Sequence, residues 1–307
     1  MESILAYMPQ SIRLCIMQHK NIENINEIRL RANKKCIIIS KNAEEITEYT
    51  VSIKDILDIL IKVSENSIYS IQNEINSGFV TIKGGHRIGI CGEVVLEDME
   101  KVKNIKNING MNIRIAKQVK GASNKVMDCI IRNGAYENTI IVSPPGCGKT
   151  TLLRDCIRIL SSGVESKNFK GKNVGLIDER GEIASVYRGI CGLDVGSRTD
   201  VMSNCPKALG IDMLVRSMGI DIIATDEIGS VKDCVAINKA ALSGVKLILT
   251  MHGDSLLDVT NHSEMNKLIN KGLFQNIIIL SKENGPGNIK NIYTQKTKGV
   301  FDKIDIF

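Results

Sequence analysis

Residues 143–151 read Ser143-Pro-Pro-Gly-Cys-Gly-Lys-Thr-Thr151, SPPGCGKTT, and decide the fold class because they fit a phosphate-binding loop in all but the first position. The pattern G-x-x-x-x-G-K-[ST] asks for glycine where Ser143 stands. The first residue has only to leave a strand tightly, and Pro144 and Pro145 fix φ for that exit, so the serine is tolerated. Gly146, Cys147 and Gly148 can then turn their amides toward one centre at a helix N-terminus, where the helix dipole favours an anion. Lys149 is expected to reach the β/γ-phosphates, Thr150 to ligate Mg2+, and Thr151 to bond the α-phosphate, with Pro145 shaping the loop.

The flanks give the loop its context. Thr139-Ile-Ile-Val142 precedes it as a β-run, and TLLRDCIRIL (151–160) follows with Leu152, Cys156 and Ile159/Leu160 at helical spacing. Further on, NVGLID, GIDIIAT, VKLILT and NIIIL alternate with helical segments, and apolar runs of this kind suit a parallel sheet covered on both faces. The expectation is a RecA-like α/β P-loop NTPase domain, a doubly wound and mainly parallel sheet over 138–307. A small α+β domain over 1–120 precedes it, joined by a connecting helix in 121–137. In that first part EIRLR (27–31), CIIIS (36–40) and MNIRIA (111–116) read as strands and 53–65 as a helix. GFVTIKGGHRIGICGEVV (78–95) reads as a hairpin broken at Gly84-Gly85.

Three segments supply chemistry at the ends of these strands, where an α/β sheet binds its ligands. Asp226 is expected to hold Mg2+ through water and Glu227 to polarise the attacking water. NVGLIDERGEIA carries Asp178, Glu179 and Glu182, which can orient the water or the metal, and Thr250 and His252 are placed to sense the γ-phosphate. No N-K-x-D base-reading motif follows, which favours ATP over GTP. An arginine often completes such a site; candidates are Arg29, Arg31, Arg87 and Arg114 in the first domain and Arg180, Arg198 and Arg216 in the second. The first set suggests nucleotide clamped between domains.

Composition removes several other classes. The 307 residues are 43% hydrophobic, enough for two real cores, and no apolar run approaches the roughly 20 residues of a membrane span. The opening MESILAYMPQSIRLCIMQ has Glu2 and Pro9 where a signal peptide needs a basic end and an apolar centre, and reads as an amphipathic helix. Nine cysteines without any C-x-x-C pair encode neither a zinc cluster nor a disulfide framework and suit a reducing cytosol. A net charge of +6 spread over both halves, with 4% aromatic residues, argues against nucleic acid as a partner. Lys101, Lys103 and Lys106 read as a solvated loop.

The order of motifs resembles the type II/type IV secretion and pilus-retraction ATPases, with their P-loop, acidic box, Walker B strand and T-x-H box. More closely it resembles the stage III sporulation protein AA family, through EIRLR, GFVTIKGGHRIGICG, NIRIAKQVKG, PPGCGKTTLLRD, DERGEIA, TDVMSNCPKALG, MLVRSM, ATDEIG and MHGDS. The resemblance covers about residues 25–255. It implies a homohexameric, Mg2+-dependent ATPase in the mother cell, peripheral at the cytoplasmic face of the membrane facing the forespore. Such a ring would energise a channel built from membrane proteins of the same operon, and Arg87 and Arg114 would reach the nucleotide. Asp226 stands where many secretion ATPases have glycine. Two other readings stand beside the motor: a nucleotide-gated assembly scaffold with little turnover, and a nucleic-acid translocase on the same core.

Overall fold

The computed structural model describes residues 1–40, 43–98, 101–283 and 285–304. The chain forms two compact units, one of residues 1–117 with 185–193 and the other of 118–184 with 194–307.

The first unit is a six-stranded antiparallel sheet with helices packed on it. Its strands are β1 (Ile25–Arg31), β2 (Lys34–Ser40), β3 (Glu44–Val51), β4 (Phe79–Ile82), β5 (His86–Leu96) and β6 (Val102–Arg114), in the order β3-β2-β1-β6-β5-β4. Alternation sets the faces. Ile28, Leu30, Ile88, Ile90, Met111 and Ile113 are buried, whereas the register lines Glu27 with Arg114 and Arg114 with Arg87 on the same row. Helices α1 (Gln10–Met17) and α2 (Ile53–Val63) contribute Ile12, Ile16, Ile56, Ile59 and Leu60 to the same core. A capping box of Ser52 and Asp55 starts α2.

Two expectations change here. Pro9 breaks the opening helix into Glu2–Leu5 and α1, because it cannot donate to a preceding turn. Lys103 and Lys106 lie on the long strand β6 rather than in a loop. The hairpin at Gly84-Gly85 forms as expected, with φ of +90° and +79°. Glycine is needed at 85 for a second reason: a Cβ there would come within 2.4 Å of the Ser185 Cβ.

The second unit is built on an eight-stranded sheet. Its strands are β7 (Thr139–Ser143), β8 (Val174–Asp178), β9 (Thr199–Ser203), β10 (Ile222–Thr225), β11 (Lys246–His252), β12 (Asn276–Ser281), β13 (Asn288–Thr297) and β14 (Val300–Ile304). The order is β9-β8-β10-β11-β7-β12-β13-β14, parallel from β9 to β12 and antiparallel beyond. Every residue of β7, β8, β10 and β12 is buried, as strands covered on both faces require. Helices α3 (Lys149–Ser162), α4 (Lys207–Ser217), α5 (Val231–Leu242), α6 (Leu256–Asn261) and α7 (Ser263–Asn270) complete it. Ile140, Val142, Ile223, Leu247 and Leu249 share one cluster with Ile211 of α4, Ile237 of α5 and Leu268 of α7.

Residues 121–137 do not form the expected connecting helix. They hold one turn, Met127–Ile130, and a hairpin of 131–132 with 135–136 that reverses at Asn133-Gly134, both with positive φ. Ser123 donates from its amide and hydroxyl to the buried Asp155 of α3, at 2.9 and 2.7 Å, which ties this segment to the second unit. Among the described residues no helix is long and apolar enough to cross a membrane.

Candidate active site

The phosphate loop leaves β7 at Ser143 and enters α3 at Lys149. Ser143 is buried and its hydroxyl donates to the Pro144 carbonyl at 2.9 Å, so the unexpected side chain is spent on the loop's own backbone. Gly146 and Gly148 take φ of +74° and +86°, a left-handed pair that only glycine adopts without cost and that curls the amides inward.

Lys149 is 6% exposed, and its ammonium meets groups from two neighbouring strands. It lies 3.4 Å from His252 Nδ1 at the end of β11 and 3.9 Å from Glu227 Oε1 just beyond β10. An ammonium can only donate, so Nδ1 accepts there, and the other ring nitrogen, Nε2, lies 3.1 Å from Glu227 Oε1. Burial lowers the Lys149 pKa, opposed by the Glu227 and Asp226 charges. The other Glu227 oxygen is ion-paired with Arg180. Glu227 has φ +48°, unusual for a residue with a side chain, and its amide donates to Thr250 Oγ1 at 2.9 Å. Thr250 thus positions Glu227, and the structure joins Lys149, Glu227, Thr250, His252 and Arg180 in one cluster.

Asp226 sits deeper, 2% exposed, with Oδ1 buried and without a hydrogen-bond partner among the described residues, as is the Thr225 hydroxyl. Burial pushes its carboxyl up to about 6; Asp178, Glu227 and Glu182 act the same way and Lys207 opposes them. A buried, unpaired carboxylate oxygen is the kind of group that suits a cation. A carboxylate oxygen is the hard donor that Mg2+ takes, and the Thr150 hydroxyl would be a second of the same kind.

The acidic box divides differently from its reading as one group. Asp178 is fully buried and accepts the amides of Glu182, Ile183 and Ala184 at 2.8, 3.1 and 2.8 Å, so it folds the turn after β8. Glu179 is ion-paired with Lys207 of α4. Glu182 has an exposed side chain, and its carbonyl accepts from Arg154 at 2.7 Å. Arg154, 5% exposed on α3, also donates to the Ile183 carbonyl at 2.5 Å, and so ties the helix after the phosphate loop to the acidic turn. Sequence reading missed Arg154, one of several charged residues on this helix, and no local signal sets it apart.

Of the other arginines, Arg198 donates to the Ser161 carbonyl at 3.0 Å and holds the end of α3. Arg87 and Arg114 belong to the first unit. The former stacks over the Phe79 ring at 4.5 Å and the latter lies 4.0 Å from Glu27.

Comparison with known proteins fits this geometry. Residues 1–300 match the family described as Sporulation stage III, protein AA. The chain belongs to that family. It is 36% identical over 295 residues to the Stage III sporulation protein AA of Bacillus subtilis (strain 168), covering 95% of each chain. Two solved structures share the fold. The Legionella pneumophila ATPase DotB aligns with a TM-score of 0.54 at 15% identity over 88% of this chain and 77% of its own. The pilus retraction motor PilT with bound ADP aligns with a TM-score of 0.56 at 17% identity over 84% and 75%. The family assignment and the fold of secretion and pilus-retraction ATPases are therefore as the sequence motifs implied.

Proposed function

We propose that the chain is a Mg2+-dependent ATPase of the secretion-motor type that energises or assembles a membrane channel complex between mother cell and forespore. The observation that carries this reading is the convergence of the P-loop lysine, the Glu227 carboxylate and the His252 imidazole beside the buried, unpaired Asp226 oxygen. A site built only to bind phosphate has no need of a carboxylate held at φ +48° by a threonine from the next strand.

In this reading the amides of Gly146 to Thr150 take the phosphates and Lys149 neutralises the β/γ end. Thr150 and Asp226 would hold Mg2+, which supplies charge neutralisation at the phosphates when bound. Glu227 accepts the proton of the attacking water, and His252, whose Nε2 lies near Glu227 Oε1, can turn to the γ-phosphate. The motor works as a homo-oligomer, a hexamer, peripheral to the mother-cell face of the membrane, with arginines such as Arg87 and Arg114 assisting and no nucleic acid involved.

One feature favours a gated variant of this reading. Glu227 is engaged by Arg180, Lys149 and His252 together, and a base so engaged is quiet until a partner or a neighbouring subunit draws Arg180 away. Steady-state ATP hydrolysis against protein concentration, for the native chain, Lys149→Ala and Glu227→Gln, separates the two. Turnover per chain that climbs with concentration and is lost in both variants, with ATP binding kept in Glu227→Gln, supports the motor. Tight binding with no turnover at any concentration leaves the nucleotide-gated scaffold, and no binding removes both.

A further inference from the structure

The phosphate loop has two flanks, and the chemistry above lies on one of them. On the β11 side stand His252, Glu227 and Arg180. On the other side β12 runs parallel to β7, with Ile279 opposite Val142, and Lys282, Glu283 and residues 285–287 lie between β12 and β13. This turn rests on the phosphate loop. The Gly287 amide donates to the Cys147 carbonyl at 2.7 Å, and a Cβ at Gly148 would come within 2.9 Å of the Gly287 nitrogen. Bare backbone at 148 is what lets the two loops approach so closely.

The first residue of that turn is Lys282. A Cβ added at Gly146 would meet its Cε at 3.6 Å and its Nζ at 3.8 Å, so the ammonium lies over the glycine whose amide helps to form the anion nest. Lys282 is exposed and makes no ion pair among the described residues. Lys149, in contrast, already shares the Glu227 charge with Arg180 and His252. A nucleotide triphosphate still carries roughly two negative charges after one divalent cation is counted, and Lys149 answers one of them. No motif marks Lys282, because it lies 133 positions beyond the P-loop lysine and meets the loop only through the pairing of β12 with β7.

We propose that Lys282 is a second cation for the β,γ-phosphates, delivered within the same chain by the turn between β12 and β13. This rests on the nucleotide reading of the P-loop. When water attacks the γ-phosphorus, its oxygen forms the new P–O bond and the bond to the β,γ-bridging oxygen breaks. The electron pair stays on that oxygen as part of ADP, and the proton of the water passes through Glu227 to solvent. Lys282 keeps its protons throughout and neutralises charge that gathers on the departing β-phosphate, as mobile arginines do in related chemistry.

The test is equilibrium binding of a fluorescent ATP analogue, a fluorescent ADP analogue and AMP with Mg2+, which needs no turnover. The full chain is compared with Lys282→Gln, Lys282→Arg and Lys149→Ala, with melting temperatures recorded beside each. Expected is a loss of about tenfold in affinity for the triphosphate in Lys282→Gln. The loss should be smaller for the diphosphate and absent for AMP, with most of the affinity restored in Lys282→Arg and the melting temperature unchanged. Native affinity in Lys282→Gln while Lys149→Ala loses binding overturns the proposal and leaves the nucleotide reading standing. A loss that arginine does not restore, with a lowered melting temperature, makes the turn a brace and also overturns it. If the native chain binds none of the nucleotides, both readings fall together.

Discussion

Two neighbouring strands of the parallel sheet end in the same pair of residue types, and the structure uses them in opposite ways. Ile177 of β8 is in register with Thr225 of β10, so Asp178-Glu179 and Asp226-Glu227 leave the sheet side by side. Asp178 accepts three backbone amides and Glu179 has its lysine on α4. Asp226 has an oxygen with no partner, and Glu227 faces the P-loop lysine from a strained backbone. A carboxylate whose bonds are complete holds a fold, whereas one left incomplete at a strand end is available for a ligand. The first pair is a clamp and the second is the candidate site.

The sharpest way to break this contrast is to neutralise each glutamate. Glu227→Gln should cut ATP turnover by roughly 10² to 10⁴-fold with nucleotide binding kept, while Glu179→Gln stays within about threefold. Equal losses in a steady-state assay would merge the two pairs into one catalytic box. The aspartates should separate by stability instead. Asp178→Ala leaves three buried amides without an acceptor and should cost about 3 kcal/mol in urea unfolding, with nucleotide absent. A loss under about 1 kcal/mol would mean that water replaces the carboxylate there.

Asp226→Asn should have the opposite sign. The folded-state pKa of Asp226 is raised, to about 6, so between about pH 4 and 6 the native state holds more of this proton than the unfolded state. Its contribution therefore worsens as pH rises through that window, and removing the charge should stabilise the nucleotide-free chain by about 2 kcal/mol at pH 7. His86 opposes this slope from the first unit. It is buried, pairs through Nε2 with Ser3 Oγ at 2.9 Å and accepts the Ala116 amide at Nδ1, 3.1 Å away. Burial lowers its pKa to about 4, so its stabilising contribution is complete above about pH 6.5 and is lost as pH falls toward 4. Unfolding free energies of Asp226→Asn and His86→Gln from pH 4 to 7 should diverge from the parent with opposite slopes; parallel curves would refute both assignments. The smallest effect is expected at Thr250→Val, which removes the acceptor for the Glu227 amide at about 1 kcal/mol of stability. Turnover should fall about tenfold if that bond aims Glu227, and an unchanged rate would show that the backbone holds the carboxylate unaided.

Much of the candidate site was legible because its parts are contiguous in the chain. SPPGCGKTT carries the glycines, the lysine and the threonines of a phosphate nest within nine residues, and Asp226-Glu227 and Thr250-Met-His252 each end an apolar run. Other features were read less well. DERGEIA looked like one acidic group, yet the amides that satisfy Asp178 follow it in the turn, a matter of loop geometry that composition does not encode. The run 121–137 suggested a helix, but Asn133-Gly134 reverses it and Ser123 anchors it to Asp155 of α3.

By itself the sequence determined the fold class, since that depends on short-range order: apolar periodicity, turn residues, and a glycine-lysine-threonine string at a helix start. Only the tertiary structure decided which charges face one another. Arg180 on Glu227, Arg154 on the acidic turn, Lys207 on Glu179 and Lys282 over Gly146 all join residues brought close by strand order and crossover. Strand order is set by how whole apolar faces pack, a cooperative property that no short stretch carries alone.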